Sequence, residues 1–240
     1  MATISDSVTH VGTIRTTNED AILDYTDAGL WAVADGMGGH QAGDYASECI
    51  IKHLSSAADN YRGKELVEQM TGILGNAHKA IYQHSQHLSG SPIIGSTIVV
   101  LIMEADNYHC FWSGDSRCYL LRHNELTLIT ADHTEAQEMR TSGDSTEFMS
   151  ETEKVIAENT LIHAIGIDEA SPHVDYVKGH IYEYDRFMLC SDGVNKVYTD
   201  EEINIYLSHS TATTANENLL NNALLTDAPD NISSIIISLE

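Results

Sequence analysis

Basic residues are scarce in this chain. Lys and Arg number 12 against 36 Asp and Glu, which leaves a formal charge of −24 over 240 residues. A surface of that sign repels phosphate backbones and anionic membranes, so it argues against nucleic-acid and membrane partners; it also attracts divalent cations. Proline is nearly missing too, with 3 residues, and together with 42% hydrophobic content this speaks for a folded chain rather than a disordered one. No apolar run is long: Ile98 to Met103, the longest, falls far short of a bilayer. Met1 to His10 is polar and shows no basic-then-apolar leader, so a cytoplasmic location is expected. Cys49, Cys110, Cys118 and Cys190 stand singly, without zinc-site or redox spacing, and are expected to be reduced core residues.

What the chain does have is clear periodicity. Val11 to Arg15 resembles the end of a first strand, and Leu30 to Ala34 is an apolar run of strand length. Apolar residues then recur at three- and four-residue spacing, which predicts helices over Ala42 to Ala57 and Leu66 to Leu88. Strands are expected at Thr97–Met103, Tyr108–Ser113, Cys118–Leu121 and Leu126–Ile129, joined by hairpin-length connections. Asp132 to Glu158 is polar and poorly periodic, with one helix expected near Glu135–Thr141; its length fits a lid or flap, or a plain surface loop. Strands return at Val174–Tyr182 and Phe187–Cys190. Thr199 and Glu202 form a capping box for a helix through Leu207, and another helix, Thr213–Leu225, precedes the last strand, Ile232–Leu239. No repeat or linker interrupts residues 1–240, so one domain is expected. Blocks of strands and blocks of helices point to an α+β fold with antiparallel sheets covered by helices.

Acids mark the strand boundaries. Leu30 to Ala34 runs into Asp35-Gly36-Met37-Gly38-Gly39-His40, and Phe187 to Cys190 runs into Ser191-Asp192-Gly193. Asp115 follows Ser113-Gly114, Asp230-Asn231 opens the last strand, and Glu19-Asp20 opens an early one. Strand ends can converge on one sheet edge, and carboxylates gathered there repel unless cations neutralise them. Gly36 lacks a Cβ, so its carbonyl could approach whatever Asp35 binds, and hard oxygen donors suit Mg²⁺ or Mn²⁺. A cluster of two or three divalent ions is therefore expected. Arg15 is one of few cations and lies near this edge; it could grip a phosphate in a fork or pair with a surface acid.

These residues carry a resemblance. Arg15-x-x-Asn18-Glu19-Asp20, then Asp35-Gly36-Met37-Gly38-Gly39-His40, is similar to the opening of the PPM family of metal-dependent protein phosphatases, type 2C. Gly95-Ser96-Thr97, Gly114-Asp115-Ser116-Arg117, Asp132-His133, Cys190-Ser191-Asp192-Gly193 and Asp230-Asn231 follow in the family's order, across essentially the whole chain in its bacterial stand-alone form. The resemblance implies a four-layer αββα sandwich, two antiparallel sheets between helix pairs, with metals at one edge. It implies that Asp35 bridges two ions, the Gly36 carbonyl binds one, and Asp192 and Asp230 complete a shell. Glu19 would serve the other ion, Asp20 would help through water, and Asp115 with Asp192 would hold a third. Arg15 would hold the substrate phosphate.

Two such ions acidify water and neutralise charge at phosphorus, so the expected reaction is direct hydrolysis of phosphoserine or phosphothreonine by a hydroxide between the ions, opposing a Ser/Thr kinase. Alternatives of other classes are a catalytically weak binding module and a hydrolase of small phosphoesters. His40 is the nearest histidine to serve as the leaving group's acid, but its expected place at a helix N-terminus favours a role in shaping the glycine turn, which would leave a metal-bound water to donate the proton. The family's usual arginine is absent from Leu161-Ile162-His163-Ala164-Ile165-Gly166, and Pro229 stands where another often precedes the final Asp-Asn.

Overall fold

Residue parity in the strands sets the layers. In the computed structural model, which describes residues 2–38, 42–143, 149–226 and 228–240, β3 (Leu30–Met37) turns Trp31 and Val33 one way and Leu30, Ala32 and Ala34 the other. The first pair meets Phe187 and Leu189 of β10 (Arg186–Cys190) and Ile235 and Ile237 of β11 (Ile232–Leu239), which forms the core between the two sheets. The second set packs under Ile50 and Leu54 of α1 (Gly43–Asn60) and Leu66, Met70 and Leu74 of α2 (Gly63–His87). Met188 and Cys190, on the outer face of β10, meet Ile203 and Leu207 of α6 (Asp200–His209) and Leu219 of α7 (Ala212–Leu224). The central strands β3 and β5 are buried on both faces, which explains the uninterrupted apolar runs Leu30–Ala34 and Ile98–Ile102.

The strands form two antiparallel sheets. One runs β1 (Thr3–His10), β11, β10, β7 (Arg117–Arg122), β8 (Glu125–Leu128). The other runs β2 (Asp20–Tyr25), β3, β5 (Ile98–Glu104), β6 (Asn107–Ser113), β9 (Asp175–His180), with the short β4 (Gly95–Ser96) also pairing with β3. The order α, β, β, α through the molecule is the layering that the sequence leads one to expect. Among the described residues no helix is long and apolar enough to cross a membrane. The cysteines are free, and Cys110, Cys118 and Cys190 are buried.

Two elements differ from expectation. The first strand is Thr3–His10, in register with β11 from Thr3↔Leu239 to His10↔Ile232, and Val11–Arg15 is not a strand. An edge strand buries little, so β1 carries few apolar residues to announce it. Gly12 turns the chain after it with φ +80°, and a Cβ there would sit 2.2 Å from the Asp230 carbonyl oxygen. Where one helix is expected in 132–158, the described residues of this stretch form two, α3 (Glu135–Ser142) and α4 (Glu151–Asn159). α4 buries only Ala157, which leaves no apolar period to read, but Ser150 and Glu153 cap it reciprocally.

Candidate metal centre

Where the core between the sheets ends, acids take over. Asp35 shares the parity of Trp31 and Val33, so its side chain continues the inter-sheet face. It is not at a strand end as expected: β3 continues through Gly36↔Ser96 and Met37↔Gly95 with β4. That pairing makes its backbone rigid. The Asp35 N–H donates to Thr97 Oγ1 at 3.1 Å, its carbonyl accepts the Thr97 N–H at 2.8 Å, and Thr97 Oγ1 lies 2.7 Å from Ser116 Oγ. Gly36 cannot be replaced by a larger residue, since a Cβ would fall 2.0 Å from the Gly43 carbonyl oxygen. Gly193, after Asp192, is fixed likewise, with Asn231 O only 1.8 Å from its would-be Cβ. Each Asp-Gly pair is thus a carboxylate followed by a close backbone approach.

The acids come from distant segments. Asp20 pairs directly with Asp35 across β2 and β3. Asp115 lies in the connection between β6 and β7, and Asp192 is the first residue of the short helix α5 (Asp192–Asn195). Asp230 lies just before β11, and Asn231 ties that point to the loop before β2: its Oδ1 accepts the Glu19 N–H at 2.8 Å, and its Nδ2 donates to Val11 O at 2.9 Å and Thr17 O at 3.0 Å. Glu19 accepts the Gly43 N–H at the start of α1. Arg15, Glu19, Asp35, Gly36, Asp115, Asp192 and Asp230 all line one cleft of about 620 Å³. Asp20 lies behind it, buried, and His40 lies outside the described residues. No histidine is among the described residues lining the cleft.

The electrostatics divide the cluster. Burial pushes the Asp35 carboxyl well above its ordinary range, and Asp20, Asp192 and Asp115 push it further. Burial likewise lifts Asp115 to about 7, with Asp192 and Asp132 adding to it, and lifts Asp20 to about 6 against the hydroxyls of Ser233 and Ser191. Burial also raises Glu19 and Asp192. Asp230 goes the other way: burial would lift it, but Lys196 and Arg15 outweigh that and hold it below the usual carboxylate range. Lys196 had no place in the sequence reading. Its signal was its position four residues after Asp192, one helical turn on, in a chain poor in cations.

The donor set fits hard divalent cations. It is oxygen-only, and the buried Oδ1 atoms of Asp20 and Asp192 have no hydrogen-bond partner. A second cluster does not fit as well. Donor atoms of His133, His173 and Asp175 lie within 4.8 Å of one another. However, His133 Nδ1 accepts the Gly114 N–H at 3.2 Å, which places the neutral ring's proton on Nε2, facing Asp175 Oδ2 at 3.4 Å. Both nitrogens are used, so the ring is a strut holding the Asp115 turn against β9.

A profile of the family described as Protein phosphatase 2C matches residues 13–226. The serine/threonine protein phosphatase PstP of Mycobacterium tuberculosis is 30% identical over 225 residues, covering 94% of this chain and 43% of the relative, so the chain spans under half of that protein's length. The protein phosphatase PhpP of Streptococcus pneumoniae is 30% identical over 240 residues, 97% of this chain and 96% of the relative. Among solved structures, PppA, described as a key regulatory component of the type VI secretion system in Pseudomonas aeruginosa, superposes with TM-score 0.87 at 33% identity, covering 100% of this chain and 99% of that one. The catalytic domain of PstP in complex with two manganese ions gives TM-score 0.84 at 28% identity, with 99% of each chain covered.

Proposed function

The chain belongs to the protein phosphatase 2C family, and on that premise we propose that its acidic cleft hydrolyses phosphoserine and phosphothreonine in proteins with the help of divalent ions. Mn²⁺ or Mg²⁺ would suit these oxygen donors: Asp35, the Gly36 carbonyl, Asp192, Asp230 and Glu19, with Asp20 behind them, would hold two ions, and Asp115 with Asp192 would hold a third. When bound they supply an acidified water and charge neutralisation at phosphorus. The observation that carries this reading is the convergence of Asp35, Asp192, Asp115, Asp230 and Glu19 on one cleft, with buried acid oxygens left unpartnered. Carboxylates brought this close without cations would be held at a large electrostatic disadvantage.

The chain's own groups divide the remaining work. Arg15, half exposed at the cleft, rests its Nε/Nη2 edge on Asp230 and would turn the remaining Nη1/Nη2 edge of its guanidinium to two phosphate oxygens, setting the ester in line. Thr97 and Ser116 hold Asp35 in place through its backbone. The departing alkoxide needs a proton, for which His40 is the nearest sequence candidate. Residues 1–240 act as one catalytic unit, and the substrates are the products of a Ser/Thr kinase.

Phosphate release from a phosphothreonine peptide tests this, run with Mn²⁺, with Mg²⁺ and with EDTA. Turnover is expected with either ion and none with the chelator. A chain that releases phosphate from a free phosphorylated metabolite but not from phosphopeptide or phosphoprotein contradicts it.

A further inference from the structure

Asp230 is already neutralised by the chain's own cations. Its Oδ1 accepts the Asn231 N–H at 3.0 Å and lies 3.0 Å from Arg15 Nε in an ion pair. Its Oδ2 accepts from Lys196 Nζ at 2.9 Å and from Arg15 Nη2 at 3.2 Å. Two donors fill Oδ2, and two cations sit on the one carboxylate. Asp192 is half committed, with Oδ2 paired to Lys196 and Oδ1 free of partners. Asp35 and Asp115 have no such cation: none of the described ion pairs reaches either of them.

Lys196 holds this place for a structural reason. Its N–H donates to the Asp192 carbonyl at 2.8 Å, closing the turn of α5 and setting its stem beside the Asp192 side chain. An ammonium is a compact point charge on a flexible four-carbon chain, so it can both bind a carboxylate pair and swing away. Arg15 differs: it pairs with Asp230 alone and is more exposed, with 52% of its side chain accessible against 29% for Lys196. Among the described residues, only Lys196 spans the two acids, Asp192 and Asp230, that would share a divalent ion.

We propose that Lys196 is a tethered counter-cation that competes with divalent ions for Asp192 and Asp230. Its ammonium holds the two carboxylates when no ion is bound and leaves them when one binds. The proposal rests on the reading that these acids are ion ligands. It has two consequences. The ion-free chain keeps its fold without metal, because one end of the acid cluster carries its own neutralising charge. Ion affinity at that end is lower than the acids alone would give, so occupancy responds to the free ion concentration.

The test uses the whole chain, stripped of ions, as wild type, Lys196→Met and Lys196→Arg. In calorimetric titrations with Mn²⁺, Lys196→Met is expected to bind at one site on the order of tenfold more tightly than wild type, since a competing unit charge at hydrogen-bond distance has gone. The same variant without ions is expected to melt lower, while Lys196→Arg stays near wild type in both measurements. Unchanged or weaker Mn²⁺ affinity in Lys196→Met overturns the competition. Should that variant fail to fold without ions, wild type carries the test alone. An amine-reactive label on Lys196, read by mass spectrometry, is expected to increase from EDTA to saturating Mg²⁺ as the ammonium is released; equal or reduced labelling overturns the proposal. A wild type that binds no Mn²⁺ overturns both this and the proposed function, whereas equal affinity in wild type and variant overturns the competition only.

Discussion

The two ends of the cleft hold the same kind of group and neutralise it differently. At the Asp35 end, Asp20 is buried and Asp35 and Asp115 are half-buried at the cleft wall, and their pKa values are driven up, to about 6 for Asp20 and about 7 for Asp115. At the Asp230 end the carboxylate stays ionised, because Lys196 and Arg15 sit on it. One end meets the cost of gathering acids by taking up protons, the other by carrying its own cations. A cluster of like charges is therefore not one electrostatic object. Substitutions chemically alike at the two ends should act in opposite directions on the ion-free fold.

The largest effect is expected from Asp35→Asn. It removes an acid from the uncompensated end and a ligand from the proposed ion pair. Turnover on phosphothreonine peptide should fall on the order of a thousandfold. Without ions the variant should melt at the same temperature as wild type or higher, since a repelled carboxylate has been removed. Phosphate release together with thermal unfolding in EDTA checks both halves, and a variant that unfolds, or that keeps near-normal turnover, contradicts the assignment of Asp35.

A matched pair separates the two ends directly. Asp230→Asn strands Lys196 and part of Arg15, and should destabilise the ion-free chain by roughly 1–2 kcal/mol. Asp115→Asn relieves a lifted carboxyl, and should stabilise it by about 1 kcal/mol at pH 8. Urea denaturation in EDTA gives both values, and shifts of the same sign would mean that the ends are not distinct.

The smallest effect is in the pH dependence. A carboxyl whose folded pKa lies above its unfolded value binds more protons in the folded state than in the unfolded one. The stability contributed by Asp20 and Asp115 is thus complete below the ordinary Asp value and is lost as pH rises through about 6 and about 7. Asp230, lowered, contributes above its unfolded value and loses that contribution on acidification. The melting temperature of the ion-free chain should therefore fall from pH 5 to pH 8, and Asp115→Asn should flatten the slope. Melting curves across that range that are parallel for wild type and variant would remove Asp115 from the uncompensated end.

Much of this cleft is legible along the chain, for identifiable reasons. Asp-Gly after an apolar run marks both Asp35 and Asp192, because the glycine answers a steric demand made by the facing backbone, 2.0 Å from one would-be Cβ and 1.8 Å from the other. Helices α1 and α2 declare themselves through the period of their buried faces, and α6 through the Thr199–Glu202 capping box at its start. Strand β1 and helix α4 do not, since each buries too little to leave a pattern. Lys196 is not legible along the chain, because a lysine four residues after an aspartate looks like any surface pair until Asp230 is brought against it.

Strand and helix periods, the acid at each boundary and the scarcity of cations are all written in the residue order. These are local properties, carried by neighbours within a few residues. It takes the folded arrangement to place Asp20 opposite Asp35, to give Asp192 and Asp230 one shared ammonium, and to engage both ring nitrogens of His133 in hydrogen bonds rather than leave one for an ion. Protonation and pairing depend on separations of a few ångströms and on burial, and both come from which strand edges the two sheets bring together rather than from residue order.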